Sequence, residues 1–361
     1  MTGPNTARTH LLSPRHFGEL AAGLGGPDAM AALSGAEYSK HVLLMRAIVE
    51  LSGEGSAAHR GYRSLAAEQQ RHPAAVTELL GRPEVGAWAA DCLRDLVENR
   101  PGARPEHLVR LAALPPRTGL RCRAEHAGLV LDLMLDHETP FLHRYRYEVD
   151  RRPDARAWRR RLARAWRVLA EGHRAQAADM AAVVRTLVPL APVPGLNLVS
   201  VTSPAAFGAV AMSLPADGVT LAETLVHEFQ HVKLGALLDL LPLVDADAGE
   251  RYYAPWRDDP RPLPGLLQGA YAYLGVAGFW RTQRFAVPDL SGHVEFARRR
   301  AEAFETTSTL LDSGRLTPEG TAFVTRMRRR LEEALADEVP DEALARAAEL
   351  SAEHRRRWTP P

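Results

Sequence analysis

The chain has 361 residues, 46% apolar and 25% charged, and its 45 basic and 44 acidic side chains leave a net charge of +1. That composition belongs to a globular protein with ample length for one large or two ordinary domains, and its near-neutral charge gives no reason to expect a nucleic-acid or membrane partner. Two cysteines, Cys92 and Cys122, are too few for a disulfide framework, and no apolar segment opens the chain, so a cytoplasmic location is expected.

The first half reads as helices. Ser13 caps a first helix with Pro14 in its opening turn, and a second is expected from Gly35, ending at Gly53. Further helices over 56–98 are separated at His72-Pro73 and Arg82-Pro83, and a short one lies within the Pro- and Arg-rich stretch 99–121. The apolar run 124–137 fits a buried helix or a strand, and helix is preferred. A long helix is expected from Asp154 to Leu187, with Trp158, Leu162, Ala165 and Leu169 on one stripe and its arginines on a solvated face.

The character changes at Val188. Prolines, glycines and alternating apolar residues predict short strands at Leu196 to Thr202 and Phe207 to Leu214, ending in a turn at Pro215–Gly218. Thr220, with Glu223 three residues on, is the expected cap of the next helix. An acidic loop (Asp245, Asp247, Glu250), an apolar helix from Gly265 and two or three more helices follow. The expectation is therefore a predominantly helical α+β protein, with a helical region 1–187 and a region 188–361 whose small sheet precedes the motif helix.

That helix carries His227, Glu228 and His231 as H-E-x-x-H. Histidines four apart project from one face and converge on one metal, and Glu228 reaches a water bound there. The flanking residues are largely apolar, and burying such a group is costly unless a metal pairs with it. The bland alternative is a satisfied core histidine pair beside an exposed glutamate. The third ligand is less legible. Leu237 stands where one large peptidase group has histidine, and the next helix offers Gln268, Tyr271 and Tyr273 rather than a carboxylate. Gln268 is the choice for the metal, with Glu250, His293 and Glu295 as remoter candidates. The loop Ala254–Pro264 holds Trp256, Arg257, Asp258, Asp259 and Arg261 between prolines. It reads either as a rigid connection with surface ion pairs or as a carboxylate clamp built on Arg257 or Arg261. Tyrosines 252, 253, 271 and 273 are first of all packing residues, and Tyr271 is the one assigned a hydrogen bond into the pocket.

The stretches LVHEFQHVKLGALLDL and YYAPWRDDPRPLPGLLQGAYAYLGVAGFWR resemble the H-E-x-x-H proteins encoded beside or fused to radical-SAM enzymes in ribosomal-peptide clusters. The resemblance is specific over about 207–284 and looser in the helical half. It implies an iron(II)- and 2-oxoglutarate-dependent peptide β-hydroxylase acting on a precursor peptide, with a radical-SAM enzyme as a possible partner. His227 and His231 would then be iron ligands, and members of the family carry histidine where this chain has Gln268 or Tyr273. Arg257 or Arg261 would hold the far carboxylate of 2-oxoglutarate. A zinc peptidase with Glu228 as general base, and a non-catalytic precursor-binding scaffold, are the alternatives.

Overall fold

A computed structural model describes residues 10–138, 147–246 and 249–358; Asp247 of the expected acidic loop lies outside them. Helix α1 (Pro14–Ala21) starts where the Ser13 hydroxyl accepts from the His16 amide at 3.1 Å. Helix α2 runs from Pro27 to Ser52, eight residues earlier than expected, because Pro27 opens a helix whose Met30 and Leu33 are already core residues. The breaks at the two X-Pro steps separate α3 (Ala57–Arg71), α4 (Pro73–Leu80) and α5 (Pro83–Val97), and α6 is His107–Leu111. These helices close a satellite core around Val42, Ile48, Leu79 and Trp88.

The helix expected over 124–137 is instead a hairpin. Strand β1 (Leu120–His126) buries Cys122 and Ala124 and exposes Arg121 and Arg123, while β2 (Leu129–Leu135) buries Leu131, Leu133 and Leu135. Ala127 and Gly128 turn between them with φ of 48° and 76°, the paired left-handed conformation of a two-residue hairpin. Period-two burial over both strands won over the bare apolar content. The long helix expected to Leu187 also divides. Helix α7 (Ala155–Gly172) buries Trp158, Leu162, Ala165 and Leu169, each of the larger ones contributing about 1.5–3 kcal/mol by leaving water. It stops at His173, whose φ of −136° and ψ of 41° are not helical, and α8 (Arg174–Val183) follows. Strand β3 (Thr186–Leu190) comes next with all five residues buried, so no alternation announced it.

Strands β4 (Ser200–Val201) and β5 (Ala209–Ser213) are shorter than the expected ones and complete a mixed sheet in the order β1-β2-β3-β5-β4. The inner pairs β2–β3 and β3–β5 are parallel and the outer pairs antiparallel. Position 188 falls inside β3, so the sheet draws strands from both sides of the expected division. Helix α9 (Gly218–Leu238) crosses beside β5 and β4. Its cap is Asp217 rather than Thr220: the Asp217 carboxylate accepts from the Thr220 amide at 2.8 Å and its hydroxyl at 3.0 Å, which leaves Thr220 and Glu223 inside the helix. Helices α10 (Leu263–Gln283), α11 (Ser291–Asp312), α12 (Pro318–Leu335) and α13 (Asp341–Arg357) pack around it, and the main core includes Phe229, Tyr271, Phe279 and Phe323. Among the described residues no helix is long and apolar enough to cross a membrane.

Candidate metal centre

Helices α9 and α10 and the edge strand β4 enclose a cleft of about 590 Å³ whose lining includes His227, Glu228 and His231. The two imidazoles project from successive turns of α9, and their Nε2 atoms lie 3.2 Å apart. Nitrogens held at about 2.0–2.1 Å from one ion and separated by that distance subtend roughly 100° at it, within the range of a tetrahedral or octahedral site. The pair therefore fits two neighbouring ligands of a single cation.

A second contact fixes the tautomer of His231. His231 donates from Nδ1 to the Gln268 amide oxygen at 3.0 Å, which leaves a lone pair on Nε2 facing His227. Burial, and then His231 and Arg299, hold the His227 imidazole well below its ordinary range, so it presents a lone pair at neutral pH. The Tyr273 ring meets His227 edge-on, with centroids 5.2 Å apart. Gln268, read from the sequence as a ligand, instead has its oxygen committed to orienting one. Among the described residues no group of three His, Cys, Asp or Glu side chains is placed to hold a metal. The remoter candidates turn elsewhere: Glu250 accepts from Tyr252 at 2.7 Å, Glu295 from Arg299 at 3.0 Å, and His293 packs against Phe285.

Glu228 is 2% exposed and its Oε2 accepts from the Thr202 hydroxyl at 2.5 Å, just beyond the end of β4. The carboxylate thus lines the same cleft as the histidines, held by a neutral donor rather than a cation. Opposite β4 stands the stiff loop. Arg257 and Arg261 both line the cleft and share one partner, Asp259, at 2.6 and 3.2 Å. The surface-pair and clamp readings of that loop thus describe the same residues. Trp256 stacks on Tyr273 with centroids 4.8 Å apart, and it lies so close to α10 that a Cβ on Gly269 would stand 2.3 Å from its Cζ2. Tyr271 is a correction. It points to the opposite side of α10, is 1% exposed, and its hydroxyl donates to the Leu20 carbonyl at 2.6 Å. About half a turn of α10 separates these fates, since residues two apart face nearly opposite directions. Tyr253 likewise leaves the site to pair with His354.

The parts of three residues were not legible in the sequence. Thr202 is an ordinary residue after a short strand. Arg299, on α11, lies over the Tyr273 ring at 5.0 Å with Glu295 and Glu302 as ion-pair partners. Asp259 was visible as a charge but not as the residue shared by both arginines. No protein-family model matches the chain, and a comparison with curated protein sequences gives no match.

Proposed function

We propose that this protein is an iron(II)- and 2-oxoglutarate-dependent hydroxylase acting on a side chain of a ribosomally made precursor peptide, in the cytoplasm and alongside a radical-SAM enzyme. The observation that carries the reading is the pair of Nε2 atoms 3.2 Å apart in a cleft bounded by a sheet edge and two arginines. His227 and His231 would hold the metal, with Gln268 fixing the tautomer of His231. Two nitrogen ligands leave room for a chelating keto acid and for oxygen. When bound, iron(II) with 2-oxoglutarate and dioxygen would supply the chemistry for C–H hydroxylation, one oxygen atom going to the side chain and the other to the succinate formed with carbon dioxide. Arg257 or Arg261 supplies the cation for the far carboxylate, with Asp259 released or shared. Ser200, on the edge strand, offers backbone groups to an extended peptide.

The test is anaerobic purification with metal analysis, followed by incubation of the precursor peptide with iron, 2-oxoglutarate and air. A mass gain of one oxygen with stoichiometric succinate is expected, and peptide fragments formed with zinc alone would sink the proposal. One observation favours that second reading. Glu228 lines the cleft beside the histidines, as a general base for zinc-bound water would. The third, a precursor-binding scaffold, draws on the two-histidine set among the described residues; it requires peptide binding that chelators leave unchanged and no turnover with any metal.

A further inference from the structure

Strand β4 is the outer strand of the sheet, and its free side forms one wall of the cleft. The ladder to β5 decides which backbone groups that side offers. The Ser213 amide donates to the Val199 carbonyl at 2.9 Å, and the facing residues after it are Ser200 with Met212 and Val201 with Ala211. In an antiparallel ladder bonded and non-bonded pairs alternate. Ser200 with Met212 is therefore the non-bonded pair, and Val201 exchanges both its bonds with Ala211. The Ser200 amide and carbonyl point the other way, to the free edge, and among the described residues neither has a backbone partner.

The same pairing assigns the two faces of the strand. Successive side chains alternate between faces, and residues directly opposite each other share one. Val201 and Ala211 lie on the face where Val188, Leu190 and Val199 cluster. Ser200 and Met212 lie on the other face, the one that α9 covers, since Val210 and Met212 join Val226 and Phe229 in the main core. Two positions beyond Ser200, the Thr202 hydroxyl donates to Glu228 of the motif at 2.5 Å. Ser200 thus belongs to the side of β4 that looks at the histidines.

A peptide that adds to this edge inherits the alternation. In antiparallel addition, the pairing that is slightly more stable per residue, one peptide residue exchanges both its bonds with Ser200 across a strand spacing of about 4.8 Å. That residue turns its side chain to the face of Ser200, toward α9. Its two neighbours, opposite Val199 and Val201, turn theirs to the face where Tyr147 packs against the Val188 cluster.

We infer that Ser200 sets the register of the substrate: a peptide adds to β4 as an antiparallel strand, the residue opposite Ser200 offers its side chain to the histidines, and the residues on either side of it are turned away. The inference rests on reading the cleft as a site of peptide hydroxylation. Ser200 acts in it as a positioning residue, through its amide and carbonyl rather than its hydroxyl.

Two measurements on the full chain test it, and the first needs no turnover. Amide exchange followed by NMR, without added iron, compares the protein alone with the protein bound to the precursor peptide. The Ser200 amide slows at least tenfold on binding, while those of Val199 and Val201, already bonded to Ser213 and Ala211, change little. Ser200→Pro, which removes no bond to β5, lowers peptide affinity at least tenfold. Should that variant fail to fold, as circular dichroism would show, the exchange result and a peptide scan decide. The scan places single N-methyl groups along the bound segment. Affinity falls at least fivefold at every second residue, and the residue that gains oxygen with iron, 2-oxoglutarate and air is one of those. A precursor peptide that does not bind, or binds without slowing Ser200, overturns the inference. So does a scan without that alternation, or oxygen placed on an insensitive residue. Slowed Ser200 exchange and an alternating scan with no gain of oxygen uphold the strand addition and sink the hydroxylase reading instead.

Discussion

The two sides of α9 carry polar groups through the same apolar helix and treat them in opposite ways. On the side away from the cleft, Lys233 is 2% exposed and donates to the carbonyls of Gly23 and Leu24, both at 2.9 Å, with the Phe229 and Tyr271 rings beside it. Every contact there is local compensation: the ammonium ties the α1–α2 connection to the helix. On the cleft side, Gln268 orients His231 and the Tyr273 ring meets His227 edge-on, and the two Nε2 atoms face each other. A buried polar group that is satisfied by its own protein reads as structure. A pair of imidazole nitrogens 3.2 Å apart in a cleft reads as a place for a ligand.

The sharpest way to separate the sides is to remove one group from each. His227→Ala or His231→Ala is expected to reduce bound metal to background and turnover below detection, with a Tm close to wild type; metal analysis beside a thermal melt reads both. Lys233→Met should do the reverse. It leaves the Leu24 carbonyl without its Lys233 donor and the Gly23 carbonyl with Gln230 Nε2 alone, and costs about 1–3 kcal/mol of stability, seen as a lower denaturant midpoint, while the folded fraction keeps its metal. Equal loss of metal in both variants would break the distinction.

Gln268→Ala tests whether orientation rather than ligation is its role. Metal affinity should fall roughly 10–100-fold in a competition titration, and complete loss would make Gln268 a ligand after all. Gly269→Ala sets a methyl group against Trp256 and displaces the Trp256–Tyr273 stack, at about 1–3 kcal/mol. Substrate KM should rise more than kcat falls, and tryptophan emission should shift. A further effect is one of pH. Burial brings the Lys233 ammonium down to about 7 against the pull of Asp179, so between there and its ordinary 10.5 the unfolded chain binds more protons. Its contribution to stability is present above pH 10.5 and lost as pH falls through 7. Lys233→Met should flatten the slope of stability against pH in that window.

Local signals in the sequence were read correctly where a short-range cause dominates. Ser13 with Pro14, and the two X-Pro steps before α4 and α5, set helix limits through constraints within one turn. The same holds for the buried stripe of α7 and for the histidine pair, since four residues of helix put both rings on one side. Where distant segments compete, reading failed. The 120–135 hairpin and β3 look like helix until neighbouring strands take up their backbone bonds. Tyr271 and Tyr273 differ only in which neighbours their faces of α10 meet.

The sequence by itself determined a predominantly helical α+β protein and two histidines on one face of one helix, because helical periodicity is a property of the local chain. Only the tertiary structure decided that Thr202 holds Glu228 and that Gln268 turns to His231. It also decided that Asp259 joins the two arginines and that Tyr271 faces the core. Apart from the Asp259 pairs, these are contacts between residues 26 or more positions apart, which form only when the sheet and helices pack; Asp259 is close to its arginines in the chain, but only packing turns that loop to the cleft.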